Sequence, residues 1–353
     1  MRILHAPWNI GGNPIGLSRA ERELGLTSDV LVLERHPFGY EADIDLGLHR
    51  WPRGAATPLR AVWALRSLKA YDVFHYNFGQ TIYQRLDRRG KLHTELPWLR
   101  RIGKRILVTF QGDDARPPDA NPFADYSEEG LALQELFQEQ RRSALLRYAD
   151  RVFFLNPDLR RWLPGAEFRP YANFDPFSLE PTPLPERSEI VVAHAPSHRA
   201  QKGTDRVIAA VESLRADGMN VRLDLIEEAS HEHAIERTRL ADAVVDQLNI
   251  GWYGGYSVEA MSLGRPVLCH IREKDPDDNP WGDELPIIQT TAETLHDDLR
   301  ALIGDPERMR RAASEGRSFV ERHHDPRRVA RQNLEGLVPI PEGERLTSPA
   351  RLP

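Results

Sequence analysis

Residues 251–271 read Gly-Trp-Tyr-Gly-Gly-Tyr-Ser-Val-Glu-Ala-Met-Ser-Leu-Gly-Arg-Pro-Val-Leu-Cys-His-Ile. The pattern predicts a glycine loop, a short helix and a buried strand. Gly254 and Gly255 lack a Cβ and let the backbone approach a ligand. Ser257 is placed to cap the helix, and Gly264 with Pro266 to end it. The first helical turn then aims free N–H groups and a positive dipole end at the loop, which suits phosphate. Glu259 in that turn would repel phosphate but can accept two hydrogen bonds from vicinal sugar hydroxyls. Gly251, Gly254, Gly255, Tyr256, Ser257 and Glu259 are therefore the candidate donor-binding set. A second basic element, residues 194–204, follows a predicted strand and carries Arg199 and Lys202. A guanidinium and an ammonium there would neutralise a diphosphate leaving group without a metal. Glu227 and Glu228 close another strand, and Asp246 a third, just before the glycine loop.

These motifs resemble the donor-binding signature of the large retaining family of GT-B glycosyltransferases. That signature is Glu-x7-Glu through a Gly-Phe-Gly loop, ending in Glu-Ala-Met/Leu-Ala-x-Gly-x-Pro-Val. Glu259 falls on the second glutamate, Gly254 on the second loop glycine, and Gly264, Pro266 and Val267 on the closing turn and strand. Gly251 stands where the first glutamate would contact the transferred sugar. Lys202-Gly203 matches the family's Lys-Gly, while the family's arginine aligns at Ser197, making Arg199 a shifted replacement. The resemblance implies that Glu259 holds the ribose, that the amides of Gly255 and Tyr256 bind the diphosphate, and that the loop at Glu227 helps hold the base. Asp246 is a candidate to take over part of the missing glutamate's work.

On the acceptor side, residues 9–16 (Asn-Ile-Gly-Gly-Asn-Pro-Ile-Gly) place Gly11, Gly12 and Asn13 before a helix, without the G-x-G-x-x-G spacing of a dinucleotide site. Gln111, where the family commonly has histidine, cannot act as a general base. Asp113 and Asp114 follow as groups to orient acceptor hydroxyls, and His75 is the titratable group expected on that side. Asn173 lies in residues 169–175, which resemble the family's hinge turn Pro-Asn-Gly-x-Asp. Lys202, Arg199, Gln111 and His75 form the candidate catalytic group. Residues 85–105 are strongly basic around Trp98, which reads as a solvated helix face; the resemblance implies weak peripheral contact with an anionic membrane as the alternative.

These side chains need a scaffold. Short apolar runs at 2–6, 30–34, 73–76, 105–110 and 152–155 alternate with helical patterns at 18–24 and 58–70. A second series places strands at 190–194, 221–226, 243–246 and 266–271, with helices at 205–216, 234–240 and 292–303, and one or two polar helices over 306–337. Such βαβα order predicts α/β architecture with parallel sheets. Prolines crowd residues 176–187, a stiff linker and the natural boundary. The expectation is two doubly wound Rossmann-like domains of the GT-B class facing a central cleft. An acceptor-side domain would span 1–180, a donor-binding domain 181–338 with its last helices packed back on the first, and a loose tail 339–353.

Composition fits an enzyme with packed cores: 353 residues, 40% apolar, net charge −6. That charge argues against a nucleic-acid partner. Cys269 is the single cysteine and reads as a core residue. No apolar h-region follows Arg2 and no run reaches membrane-span length, which predicts a cytoplasmic protein, with any membrane contact at the inner face. The leading expectation is a metal-independent retaining glycosyltransferase without a cofactor, using a nucleotide-diphosphate sugar. The acceptor class stays open among carbohydrate, lipid-linked and small molecules. A nucleotide-sugar epimerase of the same fold and a non-catalytic nucleotide-sugar binder are the competing readings. Asp275, Asp277 and Asp278 are the carboxylates to test should a metal be required.

Overall fold

The computed structural model describes residues 1–35, 39–52, 54–87, 90–117, 120, 128–272 and 279–340, with backbone alone for 128–134. Two parallel sheets organise it. The first has seven strands in the order β3-β2-β1-β4-β7-β8-β9. These are β1 (Arg2–Ala6), β2 (Thr27–Val32), β3 (Ile44–Asp45), β4 (Val73–Asn77), β7 (Arg105–Phe110), β8 (Arg151–Phe154) and β9 (Glu167–Phe168). A separate antiparallel hairpin pairs β5 (Gln84–Leu86) with β6 (Leu92–Thr94). The second sheet has the order β11-β10-β12-β13-β14. Its strands are β10 (Ile190–His194), β11 (Val221–Leu225), β12 (Ala243–Val245), β13 (Val267–Cys269) and β14 (Ile288–Gln289).

Helices cover both faces of the first sheet. On one, α2 (Ala56–Ala70), α3 (Leu96–Arg101) and α4 (Glu128–Tyr148) bury Ala64, Leu96, Leu99 and Leu145 against Leu4, Phe74 and Ile106. On the other lies α1 (Asn13–Glu23). It begins five residues before the predicted start, because Pro14 occupies a first-turn position where its missing N–H costs nothing. Two buried groups tie α1 to the sheet: Glu21 Oε2 bonds His5 Nε2 at 2.9 Å and accepts from Ser28 Oγ at 2.7 Å.

In the second half, α5 (Arg199–Lys202) and α6 (Thr204–Ala216) follow β10, and α7 (His231–Arg239) follows β11. Then come α8 (Gly255–Ser262), α9 (Leu295–Ile303) and α10 (Pro306–His323). The proline-rich linker is pinned by a buried arginine, Arg265, which donates to the Thr182 carbonyl at 2.5 Å and the Pro183 carbonyl at 3.2 Å. The expected one or two terminal helices are two, divided at Asp325-Pro326. Asp325 caps a separate α11 (Pro326–Leu334) by accepting from the Arg327 amide. This last helix packs Val329 and Ala330 against Leu17 and Ala20 of α1. Arg151 of the first sheet adds a bond to the Gln332 carbonyl at 2.6 Å. The last described residues thus return to the half where the chain began. No helix among the described residues is long and apolar enough to cross a membrane. Cys269 is fully buried in the core. Positions 341–353 of the expected tail, and Asp275–278 with their neighbours, lie outside the described residues.

Candidate functional site

Strands β10, β12 and β13 lie side by side in parallel, so the loops leaving them emerge at one edge of the second sheet. The site is built from those loops. The short helix α5 that follows β10 ends in Lys202, the loop after β12 carries Asp246 and the glycines, and α8 opens from it. Asp246 organises the junction. Its carboxylate is fully buried and accepts from Lys202 Nζ at 2.5 Å, the Gly254 amide at 2.8 Å and Ser257 Oγ at 2.7 Å. Burial alone would raise its pKa, but the Lys202 ammonium and these hydrogen bonds outweigh that and hold it below the ordinary aspartate range. Asp246 therefore does not reach toward a sugar; it fixes Lys202 against the glycine loop. A Cβ built on Gly254 would lie 3.6 Å from Lys202 Nζ.

Ser257 is not the cap that the spacing suggested. Gly254 is the N-cap residue of α8 and makes no side-chain cap bond, while Ser257 sits inside the first turn and donates to Asp246. The consequence favours an anion: no side-chain cap occupies the first turn at Gly255 and Tyr256, and a cation stands beside it.

Glu259 faces the same opening. Its carboxylate bonds His231 Nε2 at 2.8 Å and accepts from Asn173 Nδ2 at 3.4 Å. That hydrogen bond, against partial burial, raises the His231 pKa above its ordinary value. His231 opens α7, whose N-cap Ser230 accepts from the His233 amide. Asn173 belongs to the first half, so it joins the two halves across the cleft. The approach is close: a Cβ on Gly255 would lie 2.9 Å from Asn173 Nδ2.

A cavity of about 280 Å³ opens here. Gly11, Asn13, Tyr40, Gln111, Tyr171 and Asn173 line it from the first half, and Lys202, Glu227, His231, Gly255, Tyr256 and Glu259 from the second. Two buried amide atoms in this group, Gln111 Nε2 and Asn173 Oδ1, have no hydrogen-bond partner among the described residues. Asn13 does not point to a ligand with its oxygen, which accepts from the Ala172 amide at 2.8 Å and holds the hinge loop. Glu228 also lines the cavity and has a left-handed backbone, φ 52°.

Other expected groups stand elsewhere. His75 is fully buried in the sheet, tilted against His5 with ring centroids 4.7 Å apart and bonded to Thr109 Oγ1 at 2.7 Å. Burial and the neighbouring His5 push its pKa well down, so it is a neutral core group and not an acceptor-side base. His5, Glu21 and His75 bring ligand-type atoms within 4.8 Å of one another, but each imidazole Nε2 is engaged inside the core. Asp114 is spent on its own turn, accepting from the amides of Gln111 and Gly112. Burial nevertheless lifts its carboxyl to about 7. Asp113 is exposed and paired with Arg116 at 2.8 Å. Neither aspartate lines the cavity.

Arg199 is likewise committed. Its guanidinium makes a bidentate pair with Glu227 at 2.7 and 2.5 Å, leaving Lys202 as the cation in the cavity wall. Gly12 faces the Asn173 carbonyl rather than the cavity. Gly251 has φ 84°, and a Cβ there would lie 3.0 Å from Arg272 Cβ. The position is thus built for glycine, so the missing carboxylate reflects a different local backbone and not a simple replacement. His231, Tyr40 and Tyr171 were not picked out by sequence reasoning. A helix start directly after the Glu227–Glu228 loop was the available signal for His231.

No protein-family model matches the chain, and no curated protein does. Solved structures do. The chain is similar to HepE of Anabaena in complex with UDP-glucose, with a TM-score of 0.62 at 15% identity over 95% of this chain and 98% of that one. It is similar to sucrose-phosphate synthase of Thermosynechococcus elongatus, with a TM-score of 0.61 at 16% identity over 94% and 96%. A UDP-N-acetylglucosamine 2-epimerase is also similar, with a TM-score of 0.52 at 13% identity over 94% of each chain. Two parallel-sheet α/β halves facing a cleft, shared with these structures, make this a GT-B fold.

Proposed function

We propose that the protein is a metal-independent retaining glycosyltransferase that moves a sugar from a nucleotide-diphosphate sugar to an acceptor in the cleft. One observation carries this reading. Lys202 is held by buried Asp246 directly beside the start of α8, while Glu259 projects into the same cavity. A cation, a helix start and a carboxylate then match diphosphate and ribose in that order. Lys202 would neutralise charge on the departing diphosphate, and Glu259 would accept from the ribose diol. The acceptor hydroxyl would attack the face that the diphosphate leaves, with a phosphate oxygen taking the proton. This scheme needs no side-chain base, in keeping with Gln111 in the cavity wall and His75 in the core. The similarity to HepE bound to UDP-glucose supports the donor class.

The glycine backbone at Gly251 favours a second reading, a nucleotide-sugar binder without transferase activity, because no carboxylate stands at the expected sugar contact. A third, interconversion of the donor, follows from the similarity to the epimerase. One assay separates them: incubation with nucleotide sugars in excess EDTA, scored for transfer, donor interconversion or binding alone. Transfer undiminished by the chelator is the predicted result. Activity abolished by EDTA and restored by magnesium or manganese would contradict it.

A further inference from the structure

What stands against Gly251 is a cation. A Cβ built on this glycine would meet Arg272 Cβ at 3.0 Å, Nε at 3.2 Å and Cζ at 3.4 Å, so the arginine fills the space a side chain there would enter. Arg272 itself is held loosely. Among the described residues its guanidinium reaches the Ile250 carbonyl at 3.1 Å and, from the first half, Asp158 Oδ2 at 3.4 Å. The latter is well beyond the roughly 2.7–2.9 Å of a charge-assisted hydrogen bond. Asp158 is already engaged, because Arg116 donates to its two oxygens at 3.0 and 3.2 Å and pairs with Asp113 as well. Two arginines thus share one buried carboxylate, and Arg272, with 27% of its side chain exposed, keeps charge for a ligand.

This cluster adjoins the donor cavity. Asn156 donates to the Gln111 carbonyl at 2.5 Å and accepts from the Tyr171 hydroxyl at 2.8 Å, and Gln111 and Tyr171 both line the cavity. A Cβ on the next residue, Gly112, would lie 3.4 Å from Asn156 Nδ2 and 3.8 Å from Arg116 Nη1. Gln111 Nε2 is the buried donor in that wall without a partner among the described residues. Along the second half the order is then Glu259, the start of α8 with Lys202, and Arg272 against Gly251, three residues ahead of Gly254. With the ribose at the first and the diphosphate at the second, the sugar falls toward the third. A neutral hexose offers a guanidinium only hydroxyls, whereas a carboxylate matches its charge and its planar fork. We propose that the donor sugar carries a carboxylate, as in a nucleotide-diphosphate uronic acid, with Arg272 pairing to it and Gln111 Nε2 donating to the same group. The proposal rests on the donor reading above and adds the charge of the sugar to it.

The test is equilibrium binding of UDP, UDP-glucose and UDP-glucuronic acid to the full chain as wild type, Arg272→Gln and Arg272→Lys. The two sugars differ only in a hydroxymethyl against a carboxylate. Wild type should bind UDP-glucuronic acid at least about tenfold tighter than UDP-glucose, the effect of one hydrogen bond to a charged group. Arg272→Gln should erase that ratio, and Arg272→Lys should keep part of it, since an ammonium retains the charge without the fork. UDP, which has no sugar to read, should bind all three proteins alike, and that binding also shows that the variants fold. Equal affinity for the two sugars in wild type, or a ratio that survives Arg272→Gln, overturns the proposal and leaves the donor reading standing. An equal loss of all three ligands in Arg272→Gln overturns it too, and makes Arg272 only a cleft-closing partner of Asp158. Failure of wild type to bind UDP removes the donor reading itself, and this proposal with it.

Discussion

Lys202, Glu259 and His231 each make a single-residue claim. Lys202→Ala should cut turnover about 100–1,000-fold, the usual cost of losing one electrostatic donor at developing charge, while nucleoside monophosphate binding changes little. Near-normal turnover would move the phosphate site elsewhere. Glu259→Ala should weaken nucleoside diphosphate binding at least about tenfold, since a hydrogen bond to a charged acceptor contributes roughly 1.5–3 kcal/mol. Unchanged affinity in a folded variant would refute the ribose assignment. His231 adds a pH dependence. Its folded pKa is raised by Glu259. The pair's contribution to stability is thus complete below the unfolded value of about 6.5 and is lost as pH rises through the folded pKa. His231 is 57% exposed, so that contribution is at most about 1 kcal/mol. Nucleotide affinity should run the other way, rising as His231 loses its proton and releases Glu259 for the diol. Titrations across that window should show the rise in wild type and a flat profile in His231→Ala; an unchanged slope in the variant would remove His231 from the site. That Lys202 and Glu259 line one cavity was legible because a lysine after one strand and a glutamate after a glycine loop keep their spacing to chain features. Arg199 and His75 were misread for one reason: sequence gives no account of competing partners. Glu227 takes the first, and the core interior takes the second.

Among the elements, α8 shows what patterning reveals and what it hides. Gly254, Gly264 and Pro266 marked its ends, but the role of Ser257 turned on Asp246, a residue eleven positions earlier that only the fold brings close. Strands β10 to β13 of the second half were readable from short apolar runs, while the two-residue β14 was not. By contrast, α3, α4 and the β5–β6 hairpin went unread, since their polar sequences gain order from packing on the first sheet. The glycine loop also yields a test. Gly255→Ala would place a methyl 2.9 Å from Asn173 Nδ2, across the cleft between the two halves. That amide is the far end of a flexible side chain, so it can turn aside at little cost to stability but then leaves Glu259. Loss of one such hydrogen bond costs about 0.5–1.5 kcal/mol, so donor affinity should fall roughly two- to tenfold with Tm little changed. Wild-type affinity in this variant would show that the Asn173 contact is not part of the bound state.

At the scale of the molecule, α11 crosses back to α1 and Arg151, while Asn173 meets Glu259. The two halves therefore meet both behind the cleft and within it. The GT-B arrangement was legible from the alternating elements and the proline linker; the division at 180–181 remains a proposal. The first-half loops carrying Gly11, Gln111 and Asn173 were expected at the cleft and line it; what local pattern did not supply is that Tyr40 and Tyr171 join them. The most direct measurement is a thermal-shift screen of nucleoside diphosphates and nucleotide-diphosphate sugars on the wild-type protein, Glu259→Ala and Lys202→Ala. A donor at 100 times its Kd should add about 2.7 kcal/mol of stability. The account predicts a clear shift with at least one nucleotide-diphosphate sugar, smaller in both variants. No shift with any nucleotide, or an equal shift in all three proteins, would contradict it.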